Sequence, residues 1–355
     1  MSNVLSQQYS KHEKLDQSNR HSVVPVTDWS ERQVTYLRVS VTDRCNYLCT
    51  YCAPAEGWKA SAKKELLQFE EIFAVIQIMA WRGVKRVRFT GGEPLLRRDL
   101  CTLIAQVNEL PEIEEIAMTT NGHILDRYAE DLFQAGVRRL NVSLDSFDPA
   151  IFEAITRGGD LKRVLKGIEQ AQKVGFTDIV LNAVLSPELS QTAQVWQSFC
   201  EKAWALGVTP RWIEMMPIGG QQAPDIQVSS VIQALQERWD LQTDTNLNCA
   251  RIARGPARYY TVNDAVYKGK QVGFISPMSD PHFCASCNRA RLTARGGLRA
   301  CLADDREIDL KSALRMGMRG PALSPFIDQA FQGKRPQHLM NQGAPPLNVM
   351  TGLGG

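Results

Sequence analysis

Cys45-Asn46-Tyr47-Leu48-Cys49-Thr50-Tyr51-Cys52 follows directly on the alternating, β-branched run Thr35 to Val41. Three cysteines spaced C-x3-C-x2-C at the end of a strand form a ligand set. Thiolates are soft ligands for zinc, copper(I) or iron–sulfur clusters. No fourth cysteine lies close by, so a metal held here keeps an open position, which is where chemistry can take place. The alternatives are a zinc knuckle, which needs a fourth protein ligand, or a set of buried thiols.

The chain around this loop has 355 residues, enough for one large or two ordinary domains. A hydrophobic fraction of 44% with 22% charged residues is that of a folded, water-soluble chain. A net charge of +3 is too small to argue for nucleic acid as partner. No apolar run reaches the length of a membrane span, and the polar N-terminus lacks a signal-peptide core. Nine cysteines, an odd number, read as thiols and ligands in a reducing cytoplasm rather than as a disulfide framework. Residues 1–32, rich in Ser, Gln, Lys and Asn, read as a disordered leader. His12 and His21 within it read as solvated.

From residue 34 onward strands and helices alternate. Strands are expected at 34–41, 86–90, 115–119, 139–143, 178–185 and 210–214, and helices at 69–82, 99–109, 126–135, 161–174 and 192–206. Gly83, Gly136, Gly175 and Gly207 stand where helices should end. Such alternation implies parallel strands with crossover helices. Six units fit an incomplete TIM-like (β/α)6 barrel over residues 33–217 better than a Rossmann sheet, followed by a C-terminal α+β extension over 218–355.

One face of each strand is apolar: Leu37, Val39 and Val41, then Val87 and Phe89, then Leu140, Val142 and Leu144. The opposite face carries Arg38 and Ser40, Arg86, Arg88 and Thr90, Thr119, and Asn141, Ser143 and Asp145. A helix-covered parallel sheet has no solvated face. The polar face is therefore expected to line a barrel lumen that holds a polar, anionic ligand, since arginines keep their charge when buried. Thr90-Gly91-Gly92-Glu93-Pro94 ends the second strand. Its glycines permit close backbone approach, and Glu93 is expected to accept from an ammonium group.

After residue 217, Gly219, Gly220 and Pro224 open a linker, with a helix expected at 228–238 and a strand pair near 258–275. Cys284, Cys287 and Cys301 form a second triad, C-x2-C-x13-C, with Cys249 or His282 as the fourth ligand if the metal is zinc. Arg289, Arg291, Arg295 and Arg299 beside it suit a phosphate-bearing ligand. Cys101 and Cys200 fall in helices and read as core thiols. The chain ends in Gly354-Gly355, which is either a frayed end or a segment slim enough to thread into a crowded site.

Taken together, Leu37 to Asn46, Arg88 to Asp99, Thr119-Thr120-Asn121-Gly122, Asn141 to Asp145, Phe283 to Leu292 and the Gly-Gly end resemble one family. It is the GTP 3′,8-cyclases (molybdenum cofactor biosynthesis protein A) of the radical S-adenosylmethionine (SAM) superfamily, and the resemblance covers residues 33–355. It implies that Cys45, Cys49 and Cys52 hold one 4Fe-4S cluster and Cys284, Cys287 and Cys301 a second, whose open iron binds the purine of GTP. It implies SAM contacts at Tyr51, Gly92, Ser143 and Met216, and GTP contacts at Arg38, Arg88, Thr119, Arg289, Ala290 and Arg291. It implies catalytic roles for Arg211 and for Gly354 and Gly355. The implied reaction begins with reductive cleavage of SAM to a 5′-deoxyadenosyl radical, which abstracts the ribose 3′ hydrogen. The carbon radical then attacks guanine carbon 8, giving 3′,8-cyclo-GTP. Implied partners are GTP, an electron donor of flavodoxin or ferredoxin type, and the downstream cyclic pyranopterin monophosphate synthase. The chain itself is expected to be a monomer or homodimer. It departs from the family at Val180-Leu181-Asn182, where the family carries Lys-Val-Asn. Loss of a GTP-contacting lysine costs about 1.5–3 kcal/mol if nothing replaces it. Ser186-Pro187-Glu188-Leu189 also replaces a glycine-containing loop.

Overall fold

The computed structural model describes residues 24–28, 30–54, 57–189, 192–219, 226–243, 255–340 and 350. Six strand–helix units run from β1 (Tyr36–Ser40) through β2 (Arg86–Thr90), β3 (Glu115–Thr120), β4 (Arg139–Ser143) and β5 (Asp178–Leu185) to β6 (Thr209–Glu214). The helices between them are α1 (Phe69–Trp81), α2 (Leu100–Asn108), α3 (Leu125–Gln134), α4 (Pro149–Thr156), α5 (Leu161–Val174) and α6 (Ala193–Ala205). Every expected element is present within two residues of its expected ends. The expectation omits α4, whose eight residues are too few to show a period. Its start is marked by Asp148, whose side chain accepts from the backbone of Ala150 and Ile151, with Pro149 as first helical residue. Helix α5 ends at Gly175 with φ +117°, a conformation that side chains resist.

β1 to β6 pair in sequence order, all parallel. Leu37, Val39, Val87, Phe89, Met118, Leu140, Val142, Ile179 and Leu181 are buried on the helix side and form the core with α1–α6. The sheet stays open, as an incomplete TIM-like barrel should.

The C-terminal region adds strands to both edges of that sheet. After α7 (Val228–Gln236) come β7 (Leu241–Thr243), β8 (Arg258–Val262) and β9 (Gln271–Ile275), with β9 parallel to β6. Then β10 (Arg289–Leu292) pairs parallel with β1 at the far edge, followed by β11 (Gly297–Arg299) and β12 (Ile308–Asp309). Helices α8 (Leu310–Arg315) and α9 (Ser324–Phe331) complete the described elements. β9 and β10 are neighbours in sequence but sit at opposite edges of the six-strand core. Residues 276–288 therefore cross the opening of the barrel, and they carry Cys284 and Cys287.

The leader expected over residues 1–32 is too long. Val26 is buried and its N–H donates to the Arg82 carbonyl. Arg32 pairs with buried Asp28 and donates to the carbonyl of Cys284 at 2.6 Å. This stretch clamps the second cysteine loop. A reading from composition misses it because its polar residues act through specific pairs. Among the described residues no helix is long and apolar enough to cross a membrane.

Candidate active site

Both triads open onto one cavity of about 300 Å³, lined by Cys45, Cys49 and Cys52 on one side and Cys284, Cys287 and Cys301 on another. The first loop is held in place by its backbone: Leu48 and Thr50 N–H groups donate to the carbonyls of Thr156 and Ile155 at the end of α4. The ring of Tyr47 packs edge-on against His123 and Phe152. The Gly91-Gly92 turn docks on the same loop, with Gly92 N–H donating to the Thr42 carbonyl at 2.7 Å. A Cβ on Gly92 would stand 2.3 Å from the Arg44 carbonyl oxygen. Part of the demand for glycine therefore comes from packing against the cysteine loop. Gly92→Ala is expected to lower stability by about 1–3 kcal/mol and to weaken SAM binding, read by thermal melting and equilibrium dialysis. An unchanged melting temperature and SAM affinity would refute this.

Glu93 differs from its expected role. It is fully buried and accepts from Leu95 N–H, Thr120 Oγ1 and Asn121 N–H, tying the ends of β2 and β3 together. With its oxygens engaged by these donors, it does not line the cavity. Burial raises its carboxyl to about 7.

Asp145 is the other buried carboxyl at this end. It accepts from Tyr51 Oη at 2.8 Å and from Val184 N–H. Burial lifts its pKa to about 6 from the usual 3.8. A raised carboxyl favours the folded state below its unfolded pKa, and that contribution is lost as pH rises through about 6. Asp145→Asn keeps both contacts, since Asn can donate to Tyr51. The melting advantage of this variant over the parent apoprotein should grow between pH 4 and pH 8, by up to ~2–3 kcal/mol. A pH-independent difference would sink the assignment.

The donor sets suit iron–sulfur clusters. None of the described cysteines is in a disulfide. Burial raises the Cys45 thiol to about 11 and also raises the Cys49 thiol well above its usual value, so these sulfurs become thiolates only on a metal. Cys45 Sγ already accepts from Tyr47 N–H at 3.4 Å and lies 3.9 Å from Asn121 Nδ2, as ligand sulfurs do. At Cys287 burial pushes the thiol up, but Arg289 and Lys334 outweigh it and bring it down to about 6. Among the described residues no group of three His, Cys, Asp or Glu side chains is arranged to hold a single metal ion. Of the fourth zinc ligands considered, His282 is exposed in the crossing loop and Cys249 lies outside the described residues.

The lumen between the triads is cationic. Arg38, Arg88, Arg139, Arg211, Arg289 and Arg291 line it. Arg88 donates to Tyr36 Oη and to Thr119 Oγ1. Arg211 donates to Asn182 Oδ1 at 2.9 Å and to Tyr259 Oη at 3.1 Å. Burial and then Arg289 push Arg291 down to about 10. Burial would raise Tyr36, but Arg88, Arg38 and Arg139 outweigh it and lower it. Crowded cations of this kind call for an anionic ligand.

Of the expected site residues, Tyr51, Gly92, Ser143, Met216, Thr119 and all five arginines Arg38, Arg88, Arg211, Arg289 and Arg291 line the cavity. Ala290 is buried on the opposite face of β10, in the core, so only its backbone is available to a ligand. Arg295 is exposed, and Arg299 is turned away to pair with Asp305 and Glu307. Gly354 and Gly355 lie outside the described residues. Cys200 is a core thiol, whereas Cys101 is half-buried at the edge of the core. Sequence reasoning overlooked Tyr36, Arg139, Glu214 and Tyr259. Arg139 was legible by extending the Asn141, Ser143 alternation down β4. Tyr259 was not, because it comes from the antiparallel extension.

An open parallel barrel with three cysteines after its first strand and a Gly-Gly turn after its second defines a radical SAM protein. Residues 39–193 match the Radical SAM superfamily, and residues 208–340 match Molybdenum Cofactor Synthesis C. Among solved structures, Streptococcus suis SuiB bound to S-adenosylmethionine superimposes with a TM-score of 0.56 at 15% identity, covering 82% of this chain and 67% of that one. The anSMEcpe structure with bound AdoMet gives 0.53 at 14% identity, covering 84% of each chain. These two matches establish the fold. A GTP 3′,8-cyclase of Pelotomaculum thermopropionicum is 41% identical over 340 residues, 92% of this chain and 99% of the relative. GTP 3′,8-cyclase 1 of Pseudomonas aeruginosa is 40% identical over 321 residues, 88% and 94% of the two chains. The chain belongs to the GTP 3′,8-cyclase family.

Proposed function

We propose that this protein is a radical SAM enzyme that converts GTP to 3′,8-cyclo-7,8-dihydro-GTP, the opening step of molybdenum cofactor biosynthesis. The observation that carries the reading is that two cysteine triads face one arginine-lined cavity. Cys45, Cys49 and Cys52 would hold one 4Fe-4S cluster and Cys284, Cys287 and Cys301 the other, supplying the electron for SAM cleavage and an open iron for the purine. Tyr51, Gly92, Ser143 and Met216 bind SAM beside the first triad. Arg38, Arg88, Thr119, Arg289 and Arg291 bind the nucleotide, with Ala290 contributing backbone alone. Arg211, steadied by Asn182 and Tyr259, orients GTP together with the Gly354-Gly355 tail. The walls of the cavity shield reactive carbon radicals from water. Residues 33–217 form the SAM-handling unit and residues 218–355 the second-cluster unit. The thiol-rich chain works in the reducing cytoplasm, as a monomer or homodimer, with a flavodoxin- or ferredoxin-type donor. Its product passes to the cyclic pyranopterin monophosphate synthase.

The test is anaerobic reconstitution with iron and sulfide, incubation with SAM, dithionite and GTP, and mass spectrometry of the products. 5′-Deoxyadenosine together with 3′,8-cyclo-GTP is the expected result. 5′-Deoxyadenosine without a cyclised nucleotide would overturn GTP as substrate, in favour of a paralogue acting on another nucleotide.

A further inference from the structure

Lys334 lies just past the end of α9 and is fixed there by its N–H, which donates to the Phe331 carbonyl. The residue is only 2% exposed. Its ammonium stands 3.7 Å from the Cys287 sulfur, 3.5 Å from the Cys287 carbonyl oxygen and 3.7 Å from Asp28. Asp28 is itself buried and pairs with Arg32 at 2.7 Å, and Arg32 donates to the Cys284 carbonyl. One carboxylate thus joins two cations, and each cation reaches one cysteine of the second triad. Lys334 reaches the sulfur as well as the carbonyl. It lines a small hollow behind the triad, together with Arg32 and all three cysteines, and is not among the residues that line the main cavity, where Arg289 and Arg291 stand. Its charge therefore acts on the triad and not directly on a ligand in the cavity.

The first triad has different surroundings. The groups that meet the Cys45 sulfur are neutral, the Tyr47 N–H at 3.4 Å and the Asn121 side-chain amide at 3.9 Å. Behind them stand buried carboxyl groups: Glu93 accepts from the Asn121 backbone N–H, and Asp145 accepts from Tyr51 Oη. A thiolate-bound iron–sulfur centre becomes one charge more negative when it takes up an electron. Positive charge and hydrogen bonds at its sulfurs favour that state, and negative charge nearby disfavours it. A buried ammonium acts strongly because little water or salt screens it.

We propose that Lys334 acts through the Cys287 sulfur to raise the reduction potential of the second cluster above that of the first, so that the second takes up its electron before the first does. This rests on the two cysteine triads holding the clusters. The anaerobically reconstituted enzyme is poised at stepped potentials with dithionite and mediators, and the reduced clusters are counted by electron paramagnetic resonance. A Cys49→Ala background carries the second cluster alone, and a Cys287→Ala background the first alone. The parent second cluster should be reduced at the higher potential. At a fixed potential, Lys334→Met and Lys334→Gln are expected to lower the ratio of reduced to oxidised second cluster roughly tenfold, a shift of about 59 mV for one electron. Iron content should stay at the level of the background protein. Lys334→Arg, which keeps the charge, should keep most of the parent ratio. In the Cys287→Ala background, Lys334→Met should leave the first cluster's potential unchanged.

A second cluster harder to reduce than the first would overturn the proposal, as would an unchanged potential in a neutral variant that retains its iron. Equal shifts at both clusters would overturn it by exposing a general disturbance of the fold. So would a Lys334→Arg variant that falls as far as Lys334→Met, since charge would then not be the cause. If Lys334→Met loses the second cluster, Lys334→Gln and Lys334→Arg decide the matter; loss from both neutral variants would reduce Lys334 to a residue that holds the loop, and overturn it too. A Cys49→Ala protein that takes up no iron would instead bring down the cluster assignment on which the proposal rests, a separate failure.

Discussion

Cys287→Ala is expected to abolish the cyclised nucleotide while 5′-deoxyadenosine still forms, and Cys49→Ala to abolish both. Cys287 belongs to the triad beside Arg289 and Arg291, and Cys49 to the triad beside the Gly91-Gly92 turn. Arg289 and Lys334 both act on the Cys287 sulfur, with Lys334 Nζ 3.7 Å away, so alanine removes the sulfur assigned to the second cluster and a counter-charge of Arg289, while Lys334 keeps its pair with Asp28. Loss of one ligand from three should empty that triad alone, halving the iron bound per chain. Product formation should fall by roughly three orders of magnitude or more, ~4 kcal/mol in barrier. The same reconstituted samples give iron per chain, 5′-deoxyadenosine and nucleotide products. A Cys287→Ala enzyme that still makes cyclo-GTP would remove the second triad from the reaction. One that loses all iron would show that the two loops assemble as a unit.

Glu214→Ala is expected to prevent assembly of the second triad without touching a cysteine. Glu214 ends β6 and is 2% exposed. Its carboxylate accepts from Val228 N–H at 3.0 Å, Met278 N–H at 2.9 Å, Ser279 N–H at 3.0 Å and Ser279 Oγ. Those donors sit at the start of α7 and at the start of the segment that carries Cys284 and Cys287 across the barrel opening. Alanine leaves buried N–H groups without an acceptor, a cost of roughly 3–5 kcal/mol. Much of that cost should appear as loss of order in the crossing segment. Expected results are a lowered melting temperature, half the parent iron content, and an absorbance spectrum of one cluster. Glu214→Gln, which keeps one carbonyl acceptor, should fall between. Full iron content and an unchanged melting temperature in Glu214→Ala would refute this.

Much of this molecule was legible in the linear sequence because two local rules are strong. Alternation along Leu37-Arg38-Val39-Ser40 and Arg139-Leu140-Asn141-Val142 assigns one face to the core and the other to the lumen, whatever the rest of the chain does. Helices with apolar stripes between such strands demand a parallel sheet. The two triads announced themselves by the spacing of their cysteines, C-x3-C-x2-C and C-x2-C-x13-C.

Two features depended on chain segments distant in sequence. The crossing of the barrel opening follows from β9 pairing with β6 and β10 with β1, a choice of edges that no local pattern encodes. Glu93 looked like a ligand contact beside two glycines. Only the arrival of Thr120 and Asn121 from β3 turned it into a structural acceptor.

The sequence by itself therefore determined the parallel barrel, its polar lumen and the two thiolate sets, because strand alternation and loop spacing are properties of neighbours in the chain. Only the tertiary structure decided that both sets face one cavity, that Arg299 turns away while Arg139 turns in, and that Arg32, paired with Asp28, clamps the second loop. Those outcomes rest on which edges pair and which buried charges find partners, and the clamp on the second loop joins residues 252 positions apart.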